Sequence, residues 1–124
     1  MRYFIGLLFF LSTIVAQVTD KNFKDETGDG VSVIVFTSEW QEQDLDEDIL
    51  KGVKGYQDAR IITVKSEDAK KVAKKLRLRN FPSIALFHDG SKQEVWKGDM
   101  DGEVDCSASD IKKAIDEIFA GDVF

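Results

Sequence analysis

A chain of 124 residues is sized for one domain, and its 43% hydrophobic content is enough for a packed core. The formal net charge of −6, with 23 acidic against 17 basic residues, repels phosphate backbones. No basic stripe interleaved with aromatics offsets it, which excludes nucleic acid as a partner. A single cysteine, Cys106, rules out an internal disulfide, so stability must come from the core.

Residues 1–16 read as a secretory signal peptide. Met1-Arg2 is a short basic start, Tyr3 to Leu11 is almost wholly apolar, and Ser12 to Ala16 offers small residues near a cut. The apolar run is short for a membrane span; a buried N-terminal element and a membrane anchor are the competing readings. Cleavage after Ala16 leaves a domain of residues 17–124, one charge unit more negative through the loss of Arg2.

In the domain, Val18 to Phe23 reads as a strand end and a short helix, with Thr19 or Asp20 accepting from its first turn. Gly28-Asp29-Gly30 is a turn, and Val31 to Phe36 is an apolar, β-branched strand buried on both faces. From Trp40 onward, Leu45, Ile49, Leu50, Val53 and Tyr56 recur at helical spacing, predicting a helix from near Glu39 to near Gly55. Acidic residues crowd its first turns and Lys51 and Lys54 its end, as the macrodipole favours.

Arg60 to Val64 is the next strand. Ser66-Glu67-Asp68 opens a helix carrying Ala69, Val72, Ala73 and Leu76, with Lys70, Lys71, Lys74 and Lys75 outside. Leu78 to Pro82 breaks it. Ser83 to Phe87 is a strand, His88-Asp89-Gly90-Ser91 a hairpin turn, and Gln93 to Trp96 the returning strand. Asp99 to Ala108 is a polar loop. Ser107 or Ser109 caps a last helix with Ile111, Ala114, Ile115, Ile118 and Phe119 on its apolar face. Parallel βαβ units followed by a hairpin imply a mixed α/β sheet with helices on both faces.

This order, with its placement of Trp40 and Pro82, resembles the thioredoxin and protein disulfide isomerase family over about residues 17–120. The segments that carry the resemblance are Val18 to Phe23, Val31 to Trp40, Lys71 to Gly90 and Ile111 to Phe119. The most specific is Lys71 to Gly90, KVAKKLRLRNFPSIALFHDG. The resemblance implies a thioredoxin fold, α/β, with a mixed central sheet of four or five strands and helices on both faces. It also implies a cis bond at Phe81–Pro82, where the residues alone favour a trans proline that ends the helix. In the fold a first strand falls near Ile14 to Val18, most of which cleavage after Ala16 would remove.

The departures from the family concern its chemistry. Trp40-Gln41-Glu42-Gln43-Asp44 stands where the family has Trp-Cys-X-X-Cys, so Gln41 and Asp44 replace the nucleophilic and resolving thiols. Val35 replaces the carboxylate that tunes them. Disulfide exchange needs an attacking thiolate and a second thiol, and Gln and Asp supply neither. The resemblance therefore implies a protein- or peptide-binding module without dithiol redox activity. Trp40, Gln41, Phe81 and Pro82 would line the binding surface, and the partners would be unfolded or extended protein segments or a specific protein client. Trp40 taken by itself equally fits a partly buried packing residue. The expected location is secreted or the endoplasmic reticulum lumen. Secretion is favoured, because the C-terminal Gly-Asp-Val-Phe is no retrieval signal.

Two further readings stay open. Cys106, in a loop expected to border the vacant dithiol position, could form a mixed disulfide or a linked dimer, as in an atypical single-thiol oxidoreductase. Its flanking Asp101, Glu103, Asp105 and Asp110 would raise its pKa and slow it. Asp99, Asp101, Glu103 and Asp105 alternate around Gly102 loosely like a Ca²⁺ loop, but lack its bidentate twelfth-position Glu. No cofactor or resident metal is expected. His88, in a turn, reads as surface polarity.

Overall fold

A computed structural model describes residues 18–39 and 47–121. The elements run α1 (Phe23–Thr27), β1 (Val31–Thr37), α2 (Glu47–Val53), a 3₁₀ turn (Tyr56–Asp58), β2 (Arg60–Lys65), α3 (Lys70–Lys75), β3 (Ser83–His88), β4 (Ser91–Trp96) and α4 (Ala108–Gly121). Among the described residues the strands form one mixed sheet in the order β2-β1-β3-β4. β1 pairs parallel to β2 and antiparallel to β3, and β3 pairs antiparallel to β4. Val18 is buried but lies in no strand, and the rest of the expected first strand, like the expected signal peptide, lies outside the described residues.

Six consecutive residues of β1, Val31 to Phe36, are buried, because alternating side chains feed two cores. Ile34 and Phe36 join Phe23, Val64, Ala73, Leu76, Phe81 and Phe87 under α1 and α3. Val31 and Val33 join Ile49, Val53, Ile84, Leu86, Ile111 and Ile115 under α2 and α4. Helices therefore cover both faces. No helix among the described residues is long and apolar enough to cross a membrane.

The hairpin between β3 and β4 turns on Asp89 and Gly90, both at positive φ (49° and 85°), the two-residue turn whose twist matches the strands. Asp89 is tied to the turn before β1: its carboxylate accepts from the Gly30 N–H (2.8 Å) and its N–H donates to the Gly30 carbonyl (3.0 Å). β4 begins at Ser91, two residues before the expected strand, because this tight turn lets pairing start at once. His88 is half-buried, with its ring centroid 6.4 Å from that of Phe119 on α4, so it packs against a helix rather than decorating the surface.

Two helix starts differ in detail from the sequence reading, and a third takes one of the two caps it offered. Asp20 does not cap its own helix; its carboxylate accepts the N–H groups of Lys71 (3.1 Å) and Val72 (3.0 Å) at the start of α3. α3 itself begins at Lys70 rather than near Ser66, because Ser66 to Asp68 form a turn held to the end of β1. Ser107, not Ser109, caps α4 in a reciprocal pair. Its hydroxyl accepts from the Asp110 N–H (3.2 Å), and the Asp110 carboxylate accepts from the Ser107 N–H (2.9 Å).

Because Asp20 satisfies two otherwise unpaired amides of a short helix from a distant element, Asp20→Ala is expected to cost about 1 kcal/mol of stability. Thermal unfolding should show it as a loss of several degrees; an unchanged midpoint would show that the cap contributes nothing.

Candidate functional site

Register brings three strand ends together. Phe36 pairs with Ser83, and Ile84 pairs with both Val35 and Trp96, so the end of β1, the start of β3 and the end of β4 share one end of the sheet. The peptide bond between Phe81 and Pro82, just ahead of β3, is cis. Pro82 is fully buried, and Phe81 is buried in the α1/α3 core.

Beside this turn lies Gly98. A side chain there would run into the Pro82 carbonyl, so only glycine permits this backbone approach. Ser83 locks the arrangement: its hydroxyl donates to the Asn80 carbonyl (2.8 Å) and accepts from the Gly98 N–H (2.8 Å). A buried polar side chain thus satisfies two backbone groups on separate segments.

The exit of β1 is fixed from the other side. The Ser66 N–H donates to the Thr37 carbonyl (2.7 Å). One oxygen of Glu67 then accepts from the buried Ser38 hydroxyl (2.7 Å) and from the Glu39 N–H (3.2 Å). Glu39 itself sits in a bend; the residues just after it, where the spacing predicts the helix to start, lie outside the described residues. The Ser38 hydroxyl, aided by the Glu39 N–H, holds the Glu67 carboxyl below its ordinary range. A carboxyl lowered in the folded state contributes stability above its unfolded pKa, and that contribution is lost as pH falls through the folded value. The second Glu67 oxygen is shielded from solvent and has no hydrogen-bond partner among the described residues.

After β4, an isolated bridge joins Gly98 to Val104 and narrows the loop that carries Cys106. Cys106 is half-buried, packed with Val104 and Trp96 against the α2/α4 core, and its thiol donates to the Ser107 carbonyl at 3.6 Å. Burial, and then the charges of Asp110 and Asp105, push this thiol up to about 12. In the same loop one Asp99 oxygen accepts from the N–H groups of Asp101 and Glu103, both at 2.9 Å. Among the described residues no three His, Cys, Asp or Glu side chains gather as a metal site.

Solved structures match this architecture. A structure of the first two thioredoxin domains of Naumovozyma dairenensis Eps1p is 16% identical, covering 71% of this chain and 36% of that chain, with a TM-score of 0.55. A structure concerning the thiol resolving mechanism of a yeast mitochondrial 1-Cys peroxiredoxin is 17% identical, covering 85% and 96%, with a TM-score of 0.61. The chain has the thioredoxin fold. A thioredoxin from Malassezia sympodialis is 21% identical over 80% of this chain and 84% of that one, with a TM-score of 0.55. No family model and no curated protein matches the sequence.

Within the thioredoxin fold, the expected site residues divide into three groups. Phe81 and Pro82 stand together at the end of the sheet that receives the end of β1. Cys106 packs against the core on the face opposite to Phe81. Trp40, Gln41 and Asp44 lie outside the described residues. Ser38, Glu67 and Gly98 are structural members of the site that the sequence reading passed over. A glycine two residues past the strand-ending Trp96 was the available signal for close backbone approach.

The Cys106 thiol is expected to react with a neutral disulfide probe at pH 8 far more slowly than an unfolded cysteine, and to approach the unfolded rate when denaturant is added. Stopped-flow thiol titration measures both. Equal rates in the folded and unfolded protein would contradict the raised thiol.

Proposed function

We propose that this domain is a protein- or peptide-binding module of the secretory pathway, built on the thioredoxin fold and working without dithiol chemistry. The observation that carries the reading is a pairing: the Phe81–Pro82 turn, with Gly98 against its carbonyl, lies beside the end of β1, and the sequence that continues from Glu39 reads Trp40-Gln41-Glu42-Gln43-Asp44. The frame of a peptide-docking edge is kept, and the positions for both thiols hold Gln41 and Asp44. Main-chain pairing with an extended segment needs an edge and a flat apolar side chain, not a thiolate. Trp40 supplies the second of these, and the residue before Pro82 the first.

The thiol at Cys106, held protonated at neutral pH, gives little support to a single-thiol oxidoreductase. The loop from Asp99 to Glu103, whose lead carboxylate is spent on its own backbone, gives little to a cation site. The basic start and apolar run of residues 1–11 support entry into the secretory pathway.

Binding to a labelled, reduced and permanently alkylated polypeptide, followed by fluorescence anisotropy, tests the reading. Saturable binding that weakens about tenfold or more in Trp40→Ala is expected, the size for a tryptophan at the centre of an interface. The wild-type domain should not accelerate insulin reduction. Unchanged affinity in the variant would contradict the proposed surface.

A further inference from the structure

A cavity of about 350 Å³ opens on the α1/α3 face, between those helices and the β3–β4 hairpin, and shares no lining residue with the Phe81–Pro82–Gly98 site. Its floor is apolar. Phe23 and Phe87 meet edge to face with centroids 5.3 Å apart, and Leu76 at the end of α3 completes the surface. Its rim is cationic: Lys24 on α1, Lys71 and Lys75 on α3, and Lys92 on β4, all solvent-exposed. None of the four has a carboxylate within ion-pair distance among the described residues. The one acid in the lining, Asp20, already accepts the N–H groups of Lys71 and Val72.

This charge does not follow from composition, since the chain carries a net −6. Nor does all of it help the helix that holds it, although Lys75 in the last turn suits the macrodipole. α3 reads Lys-Lys-Val-Ala-Lys-Lys, so Lys71 and Lys75 form a like-charge pair four residues apart. Lys70 and Lys71 also place positive charge in the first turn, against the macrodipole. The Asp20 carboxylate at the start of α3 eases the second of these, but no partner within the described residues offsets the like-charge pair. An anion held at the rim would.

The cavity also defines the rest of such a ligand. Its volume falls at the small end of ligand pockets, and aromatic and aliphatic walls favour a hydrocarbon or aryl body. Lysine ammonium groups act as point charges and suit a carboxylate or sulfonate without requiring forked geometry, while their methylene stems extend the apolar wall. We propose that this cavity binds a soluble amphipathic anion, with a medium-length alkyl or aryl body on Phe23, Leu76 and Phe87 and an acidic head at the lysine rim.

Decanoate, kept below the concentration at which it self-associates, is the probe, and amide chemical shifts of the labelled full domain are the readout. Saturable shifts should cluster in α1, α3 and the β3–β4 hairpin, while acetate and decanol should produce none of comparable size. The double variant Lys71→Gln/Lys75→Gln should bind about tenfold more weakly, the size for two partly exposed charge contacts. Lys71→Arg/Lys75→Arg should retain binding; its dispersed spectrum and that of the glutamine variant report that both fold. The proposal is overturned by an absence of saturable shifts, by shifts centred on Pro82 and Gly98, by equal binding of decanol, or by unchanged affinity in the glutamine variant. Co-sedimentation with phosphatidylglycerol vesicles without decanoate binding would assign the lysines to a membrane surface and overturn it as well.

Discussion

Burial of β1 on both faces is the constraint from which the rest of the molecule follows. A strand with six buried residues in a row must sit inside a sheet and beneath two layers of helix. Each fully buried Val, Ile or Phe side chain contributes roughly 1.5–3 kcal/mol, so neither face can be left open without a large loss. β2 and β3 flank the strand, α1 and α3 cover one core, and α2 and α4 cover the other. Thr37 to Glu39, which end this strand and follow it, therefore lie against a well-packed part of the fold beside the candidate site.

The site edge is held by polar groups that each satisfy two partners. Ser83 joins Asn80 to Gly98, and Glu67 joins Ser38 to Glu39. These bonds set the Phe81–Pro82 turn on one side and the β1 exit on the other, with Gly98 allowing its own backbone to approach that of Pro82. The thioredoxin-fold frame does not itself require thiols at its edge. Loss of dithiol chemistry and retention of a docking surface are therefore physically compatible in one domain. The lysine-rimmed cavity lies on a separate stretch of the α1/α3 face and makes no use of that edge.

Much of this was legible in the sequence because it rests on local rules. The β-branched run at Val31–Phe36, the Asp89-Gly90 turn and the Ile111/Ile115 spacing each specify their element without distant help. What escaped was tertiary. Asp20 reads as a local cap, yet it serves α3, fifty residues away, through the bonds to Lys71 and Val72. Ser66 to Asp68 read as a helix start, but Glu67 is drawn to Ser38 and Glu39, and α3 begins only at Lys70. For Cys106 the neighbouring acids gave the right direction of shift, while the larger cause, burial against the α2/α4 core, was invisible without the fold. The four lysines read as one solvated helix face; only the packing of α1 and the hairpin beside α3 shows that two of them rim a cavity with Lys24 and Lys92.

The central claim is that extended polypeptide docks at the edge formed by the β1 exit and the cis Phe81–Pro82 turn. Amide hydrogen exchange of the full domain, with and without a permanently unfolded polypeptide, tests it most directly. The account predicts added protection at Thr37 to Glu39, Asn80 to Ser83 and Gly98, with little change at Phe23, Lys75 or Phe87. Protection confined to the α1/α3 face, or none at any position while binding is demonstrably saturated, would contradict it.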